Sequence, residues 1–177
     1  MEQNIEIKAR LSDFSQAIAM AKSISNTAGK TLKQTDYFFH CAEGRLKLRV
    51  FSDNKGELIF YRRQNQKGPK TSTYSITKTN EPNRLKLVLA SAHGVLGIVK
   101  KTRHLFKVGR TRIHIDQVEQ LGDYLELEVV LKPEESQQVG ILEAEELMQQ
   151  LSISEKNLID CTYIDLISDK NQSQTDD

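Results

Sequence analysis

The chain has no tryptophan and is only 6% aromatic, so the stacking platforms that usually hold single-stranded nucleic acid are missing. It also lacks a dominant charge: 25 Lys and Arg face 24 Asp and Glu, for a formal +1. No global field recruits DNA or an anionic membrane, and any anion site must come from a local arrangement of charge. No apolar run reaches the roughly 20 residues that a membrane-crossing helix needs. Cys41 and Cys161 stand far apart and form no CxxC. With no secretory leader read ahead of them, they are expected to be free thiols in a reducing, cytoplasmic compartment.

What is present is regular patterning. At 177 residues the chain suits one core, read as a single domain over 1–167 followed by a disordered polar tail over 168–177. Strict alternation marks a strand over 4–11, with Asn4, Glu6, Lys8 and Arg10 on one face and Ile5, Ile7, Ala9 and Leu11 on the other. Further strands are expected over 34–39, 45–51, 57–64, 70–79, 95–108, 110–118 and 124–131, joined by short turns that suit antiparallel pairing. Helices are expected near 13–24 behind a Ser12 cap, near 82–92 with Pro82 in its first turn, and after Pro133. The apolar stripe of the second is read as Leu85, Val88, Leu89 and Ala92, that of the third as Val139, Leu142, Leu147 and Leu151. A closing element of unspecified type covers 158–167.

The polar faces of these strands carry the information. Charge recurs at i, i+2 spacing in Glu6 and Lys8, in Arg45, Lys47 and Arg49, in Arg110, Arg112, His114 and Asp116, and in Glu126 and Glu128. An antiparallel sheet with its charged face in water explains such alternation. A closed sheet with the charges lining its interior explains it as well. The clustering by sign favours the second reading, because like charges side by side repel unless something lies between them. Glu126 and Glu128 sit about 7 Å apart along one face, a pair that a divalent cation relieves. Carboxylates suit Mg²⁺ or Mn²⁺, which leave coordination positions for substrate phosphates. The Lys47 and Arg49 strand offers the converse, fixed cations suited to phosphate oxygens.

With those residues laid out, the chain resembles the CYTH superfamily, or triphosphate tunnel metalloenzymes, which includes class IV adenylate cyclases, thiamine triphosphatases and bacterial inorganic triphosphatases. The N-terminal Glu-x-Glu-x-Lys signature is similar to Asn4-Ile5-Glu6-Ile7-Lys8, with Asn4 in place of the first Glu. Arg45 to Arg49, Leu58 to Arg63 with Gly68-Pro69-Lys70, Lys100 to Arg103, and Ile113 to Asp116 with Leu121 to Glu128 resemble the family's later motifs in order. The resemblance implies an α+β, β-dominated fold: an antiparallel barrel of about eight strands, closed or nearly so, with helices packed outside and a polar tunnel within.

Carried over by position, the resemblance implies that Glu6, Glu126 and Glu128 hold Mg²⁺ or Mn²⁺, with Asp116 as a further acidic contributor. It implies that Lys8, Lys47, Arg49, Arg63, Lys70, Lys101, Arg103 and Arg112 grip phosphate oxygens, and that Glu6, Lys8, Glu126 and Glu128 serve catalysis. Strand alternation selects Arg63 over Arg62. Arg10, Arg45 and Arg110 are read at tunnel mouths or on the surface, and His114 faces the same side as Asp116. The implied activity is metal-dependent hydrolysis of a triphosphate: inorganic tripolyphosphate, thiamine triphosphate or a nucleoside triphosphate. Alternatives are a class IV adenylate cyclase, or a polyphosphate-binding module without catalysis. The partner is a small-molecule triphosphate, with no nucleic acid or membrane, in a monomer or homodimer.

Overall fold

The computed structural model describes residues 1–175. Eight strands follow the alternating segments: β1 (Glu2–Arg10), β2 (Lys30–Phe39), β3 (Arg45–Phe51), β4 (Gly56–Arg63), β5 (Lys70–Thr79), β6 (Val95–Val108), β7 (Thr111–Val118) and β8 (Gly122–Val130). They close in the order β1-β5-β4-β3-β2-β6-β7-β8. Every neighbouring pair is antiparallel, and β1 joins the two ends of the meander by pairing with both β5 and β8. Closure leaves no strand edge to template aggregation. It also decides between the two readings of the charged faces, which line the inside.

Because the inside is polar, the apolar core lies between barrel and helices. Outward residues of β1, β7 and β8, among them Ile5, Ile7, Ile113, Leu125 and Leu127, pack against α1 (Phe14–Ser25) and α3 (Gln137–Gln150). All five are fully buried, and each such side chain stabilises by about 1.5–3 kcal/mol. Gly140 lets α3 approach β1 closely: a Cβ there would lie 2.7 Å from Ile5 and 2.6 Å from Leu131. A smaller cluster seats Leu89 of α2 (Pro82–His93) on Phe39 and Leu48.

Four helix details differ from the sequence reading. The cap of α1 is Asp13, whose side chain accepts from the Gln16 backbone N–H, one residue later than Ser12. The third helix starts at Gln137 behind a Ser136 cap, because the chain turns through Glu134 at positive φ. Its buried stripe is Gly140, Ala144, Leu147 and Leu151, while Val139 and Leu142 are exposed. Small residues won over larger ones there because the helix lies close to the strands. On α2, Val88 and Ala92 likewise face outward and Leu89 is the buried anchor.

Helix α4 (Tyr163–Thr175) packs at one end of the barrel. Phe38, Val99, Val118 and Tyr124 pack beneath Tyr163, Ile164 and Ile167 of α4. Gly97 makes room, since a Cβ at that position would lie 2.4 Å from Ile164. Helix α4 continues through much of the stretch expected to be a disordered tail, and residues 176–177 lie outside the described residues. It is started by a reciprocal cap: Asp165 accepts from the backbone N–H and hydroxyl of Thr162, whose own hydroxyl accepts from the Asp165 N–H.

Candidate active site

The barrel encloses a cavity of about 290 Å³. Its wall carries seven cationic side chains (Lys8, Lys47, Arg49, Arg63, Lys101, Arg103 and Arg112) and five carboxylates (Glu6, Asp36, Glu57, Glu126 and Glu128), together with His114. The inward face of each strand supplies them at every second position, so the hydrogen-bonded registers fix their spacing. Cations outnumber carboxylates, which prepares the cavity for an anion.

The acidic group stands on β1, β7 and β8. His114 lies opposite Glu126, and Glu128 lies opposite both Arg112 and Glu6. The Nδ1 of His114 is 3.6 Å from an oxygen of Glu126 and 3.6 Å from one of Glu128. It is buried without a hydrogen-bond partner. One ligand atom from each of these three residues falls within 4.8 Å of the other two. An orphaned ring nitrogen between two carboxylates is a donor set that fits a divalent cation. Asn4, buried on the same wall, has an Oδ1 with no partner. Glu6, two residues along the same strand and in register with Glu128, accepts instead from Arg63 at 2.7 Å.

The basic group stands on β2, β3 and β6 and is organised by a residue the sequence reading did not single out. Asp36, 1% exposed, accepts from Arg49 through both oxygens at 2.8 and 2.9 Å, from Lys47 at 3.1 Å and from Lys101 at 2.9 Å. Burial favours its neutral form, but Arg49, Lys101 and Lys47 together hold its carboxyl well below the usual range. The same crowding acts in reverse on Lys101. Burial pushes its ammonium down to about 7 against the opposing pull of Asp36, with Arg49, Arg103 and Lys47 adding to the depression. Asp36 shares the inward alternation of Gln34 and Phe38 and pairs in register with Arg49, the signal that could have found it.

Between the two groups lies Arg103. It donates bidentately to Asp116 at 2.7 and 2.6 Å and again to Glu126 at 2.7 Å. Tyr163 adds a third hydrogen bond to Asp116 at 3.0 Å. Lys8 reaches Glu126 at 2.6 Å and lies 3.6 Å over the Tyr163 ring. Burial works against the charged form of Glu126, yet Lys8 and Arg103 hold it well below its ordinary value. Glu128 is drawn down to about 2 against burial by His114, Arg112 and Arg103.

The sequence-predicted residues divide accordingly. Glu6, Lys8, Lys47, Arg49, Arg63, Lys101, Arg103, Arg112, Glu126 and Glu128 all reach the cavity wall. Arg62 instead points outward and meets Glu43. Two of Arg63's guanidinium nitrogens, Nε and Nη2, are buried without partners. Arg112 sits 2.8 Å from Glu128 but without hydrogen-bond alignment at its Nε. Lys70 and Asp116 are buried but do not line the cavity. Lys70 donates to the carbonyls of Gln66 and Ile159, and both oxygens of Asp116 are engaged by Arg103. Of the arginines read at the mouths, Arg45 ties β3 to Asp165 of α4, Arg10 donates to Tyr124, and Arg110 binds Glu135 and Glu143 outside the barrel.

Comparison with known proteins agrees with this architecture. A family profile described as CYTH domain matches residues 2–163. A protein of Methanocaldococcus jannaschii named "Putative adenylate cyclase" is 26% identical over 176 residues, covering 92% of this chain and 97% of the relative. A conserved hypothetical protein from Pyrococcus furiosus superposes with a TM-score of 0.81 at 18% identity, covering 92% of this chain and 99% of that one. A "putative adenylate cyclase" from Vibrio parahaemolyticus gives a TM-score of 0.77 at 18% identity, covering 95% and 99%. At such identities the two solved structures share the fold.

Proposed function

The chain belongs to the CYTH domain family, and on that premise we propose that it is a divalent-metal-dependent phosphohydrolase acting on a triphosphate held inside the barrel. The observation that carries this reading is the convergence of seven cations and a His114, Glu126 and Glu128 cluster on one enclosed cavity. A binding module for a monoanion has no use for so many fixed cations. Two like charges about 4 Å apart repel by about 4 kcal/mol at an effective dielectric near 20. A polyphosphate lying between them turns that repulsion into attraction.

In this reading Lys47, Arg49 and Lys101 hold one stretch of the triphosphate, and Arg63, Arg103, Arg112 and Lys8 hold the rest. Glu126 and Glu128, with His114 and with Glu6 on the adjacent strand β1, are the residues that would hold Mg²⁺ or Mn²⁺. When bound, that ion supplies Lewis-acid polarisation of the phosphate oxygens. Asp36 and Asp116 keep the cations aimed inward, so the charge that develops as water attacks the terminal phosphorus meets preorganised donors. The bond to the bridging oxygen breaks, releasing orthophosphate and leaving a diphosphate.

The names carried by the relatives from Methanocaldococcus and Vibrio favour a second reading. A cyclase would use the same grip on ATP, with the ribose 3′-hydroxyl attacking the α-phosphorus to give cyclic AMP and pyrophosphate. Incubation with tripolyphosphate, thiamine triphosphate and ATP in Mg²⁺ or Mn²⁺, with assays for orthophosphate, pyrophosphate and cyclic AMP, separates the two. Orthophosphate without cyclic AMP is the expected result. Cyclic AMP with pyrophosphate would replace the hydrolase reading, and tight binding without turnover would leave a polyphosphate-binding module.

A further inference from the structure

Among the described residues, every side chain on the cavity wall comes from a strand except Thr162 and Tyr163 at the start of α4. Thr162 is engaged in the helix cap, and Tyr163 meets the charges. Its ring is fixed at two points. The hydroxyl donates to Asp116 at 3.0 Å, and the Tyr124 ring meets it edge to face with centroids 5.1 Å apart. Two ammonium groups from different strands lie over that ring, Lys8 of β1 at 3.6 Å from its centroid and Lys101 of β6 at 5.6 Å.

The two lysines are not equally provided for. Lys101 donates to Asp36 at 2.9 Å. Among the described residues the one carboxylate in ion-pair contact with Lys8 is Glu126, and that carboxylate is divided. Its Oε1 meets Lys8, while its Oε2 accepts from Arg103 and lies 3.6 Å from His114 Nδ1. Glu126 also belongs to the group of three that fits a divalent cation, so its charge is only partly available to Lys8. An aromatic face attracts an ammonium through its quadrupole and carries no net charge. It anchors a buried lysine without neutralising it, whereas a further carboxylate at the same place would pair the lysine and repel phosphate. We propose that Tyr163 is a positioning residue whose ring face holds the Lys8 ammonium toward the triphosphate at the α4 end of the cavity. Asp116 acts through it by fixing the ring. The role rests on the triphosphate reading of the cavity, and it makes α4 part of the grip.

The test is a double-mutant cycle on the full chain, read by equilibrium binding of tripolyphosphate without divalent metal. Melting temperatures check folding, and the proton spectrum of the Lys8 ε-methylene reports where that side chain lies. Tyr163→Met fills the space with a flexible apolar chain and removes the ring face; Tyr163→Phe keeps the face and loses the hydroxyl. The Lys8 ε-methylene protons should be shifted upfield by the ring current in the unmodified chain and in Tyr163→Phe, and the shift should vanish in Tyr163→Met. Tripolyphosphate should bind about tenfold more weakly to Tyr163→Met, and Tyr163→Phe should restore affinity to within about threefold. In a Lys8→Ala background Tyr163→Met should add less than about a twofold loss, because the ring acts through that lysine. Losses that add in the double variant, or a Tyr163→Phe chain that binds as weakly as Tyr163→Met, overturn the role. Binding that Tyr163→Met leaves unchanged overturns it too, with the triphosphate reading still standing. Should Tyr163→Met fail to fold, the ring-current shift decides: its absence from the unmodified chain overturns the role, and its presence with affinity retained in Tyr163→Phe upholds it. An unmodified chain that does not bind tripolyphosphate overturns the triphosphate reading and the role with it.

Discussion

The two walls of the cavity solve opposite electrostatic problems. On β2, β3 and β6 three cations surround one carboxylate, Asp36, which is saturated with hydrogen bonds. On β7 and β8 two carboxylates flank a histidine whose Nδ1 has no hydrogen-bond partner. The first wall is braced by one shared carboxylate, and the second keeps a buried ring nitrogen without a hydrogen-bond partner. Polar groups buried by folding must be satisfied from somewhere.

That contrast breaks most sharply at the acidic wall. Glu126→Gln and Glu128→Gln should each lower triphosphate hydrolysis on the order of 10³-fold, since they remove ligands for the ion that polarises the phosphate. Binding of tripolyphosphate without divalent metal should change by no more than a few-fold. Full turnover in both variants would take these carboxylates out of the metal site.

At the basic wall the expected loss is stability. Asp36→Asn leaves Lys47, Arg49 and Lys101 buried and unpaired, a change that costs about 3–5 kcal/mol. The melting temperature should fall by roughly 10 °C, and added tripolyphosphate should recover part of it. Because the folded pKa of Asp36 is depressed, its stabilisation is present above the unfolded value near 3.9 and is lost as pH falls through the folded one. An unchanged melting curve at neutral pH would mean that the hub carries nothing.

Smaller effects sharpen the same picture. Lys47→Ala should weaken tripolyphosphate binding about tenfold with modest change in stability, read by calorimetry. Lys101, drawn down to about 7 chiefly by burial, is increasingly neutral above that pH. Triphosphate affinity should then fall as pH rises past 7, by up to about tenfold per unit, with proton uptake on binding. Affinity that is flat from pH 6 to 9 would contradict this. Arg62→Ala is the control: exposed and paired with Glu43 outside the barrel, it should shift stability by less than about 0.5 kcal/mol and leave binding unchanged.

Much of this was legible before any coordinates. All eight strands were located, β1 by strict alternation, since a half-buried strand with one polar face has a plain sequence pattern, although β2 begins at Lys30 and was expected only from 34. Alternation also put Lys47, Arg49, Glu126 and Glu128 on the face that proved internal, while Arg103 came from the family resemblance. Helix faces were harder to read. Val139 and Leu142 look like a stripe, but the contact with β1 demands the small Gly140 and Ala144, and no periodicity of large residues reveals close approach. Asp36 escaped notice because a single acid in a strand of Tyr and Phe resembles an isolated surface charge; its three partners come from β3 and β6. Helix α4 was hidden by its polar second half, although Thr162 and Asp165 already carried the cap spacing.

Closure of the barrel has a consequence for how such a chain can change over time. Each strand is bonded to a neighbour on both sides, so adding or deleting one residue within it rotates every later side chain to the opposite surface. One such event in β3 would place Lys47 and Arg49 among the helices and Leu46 and Leu48 in the cavity. Length variation in descendants of this chain is therefore expected to collect in the connections, above all around α2 and between β8 and α3, while the eight strands keep their residue count.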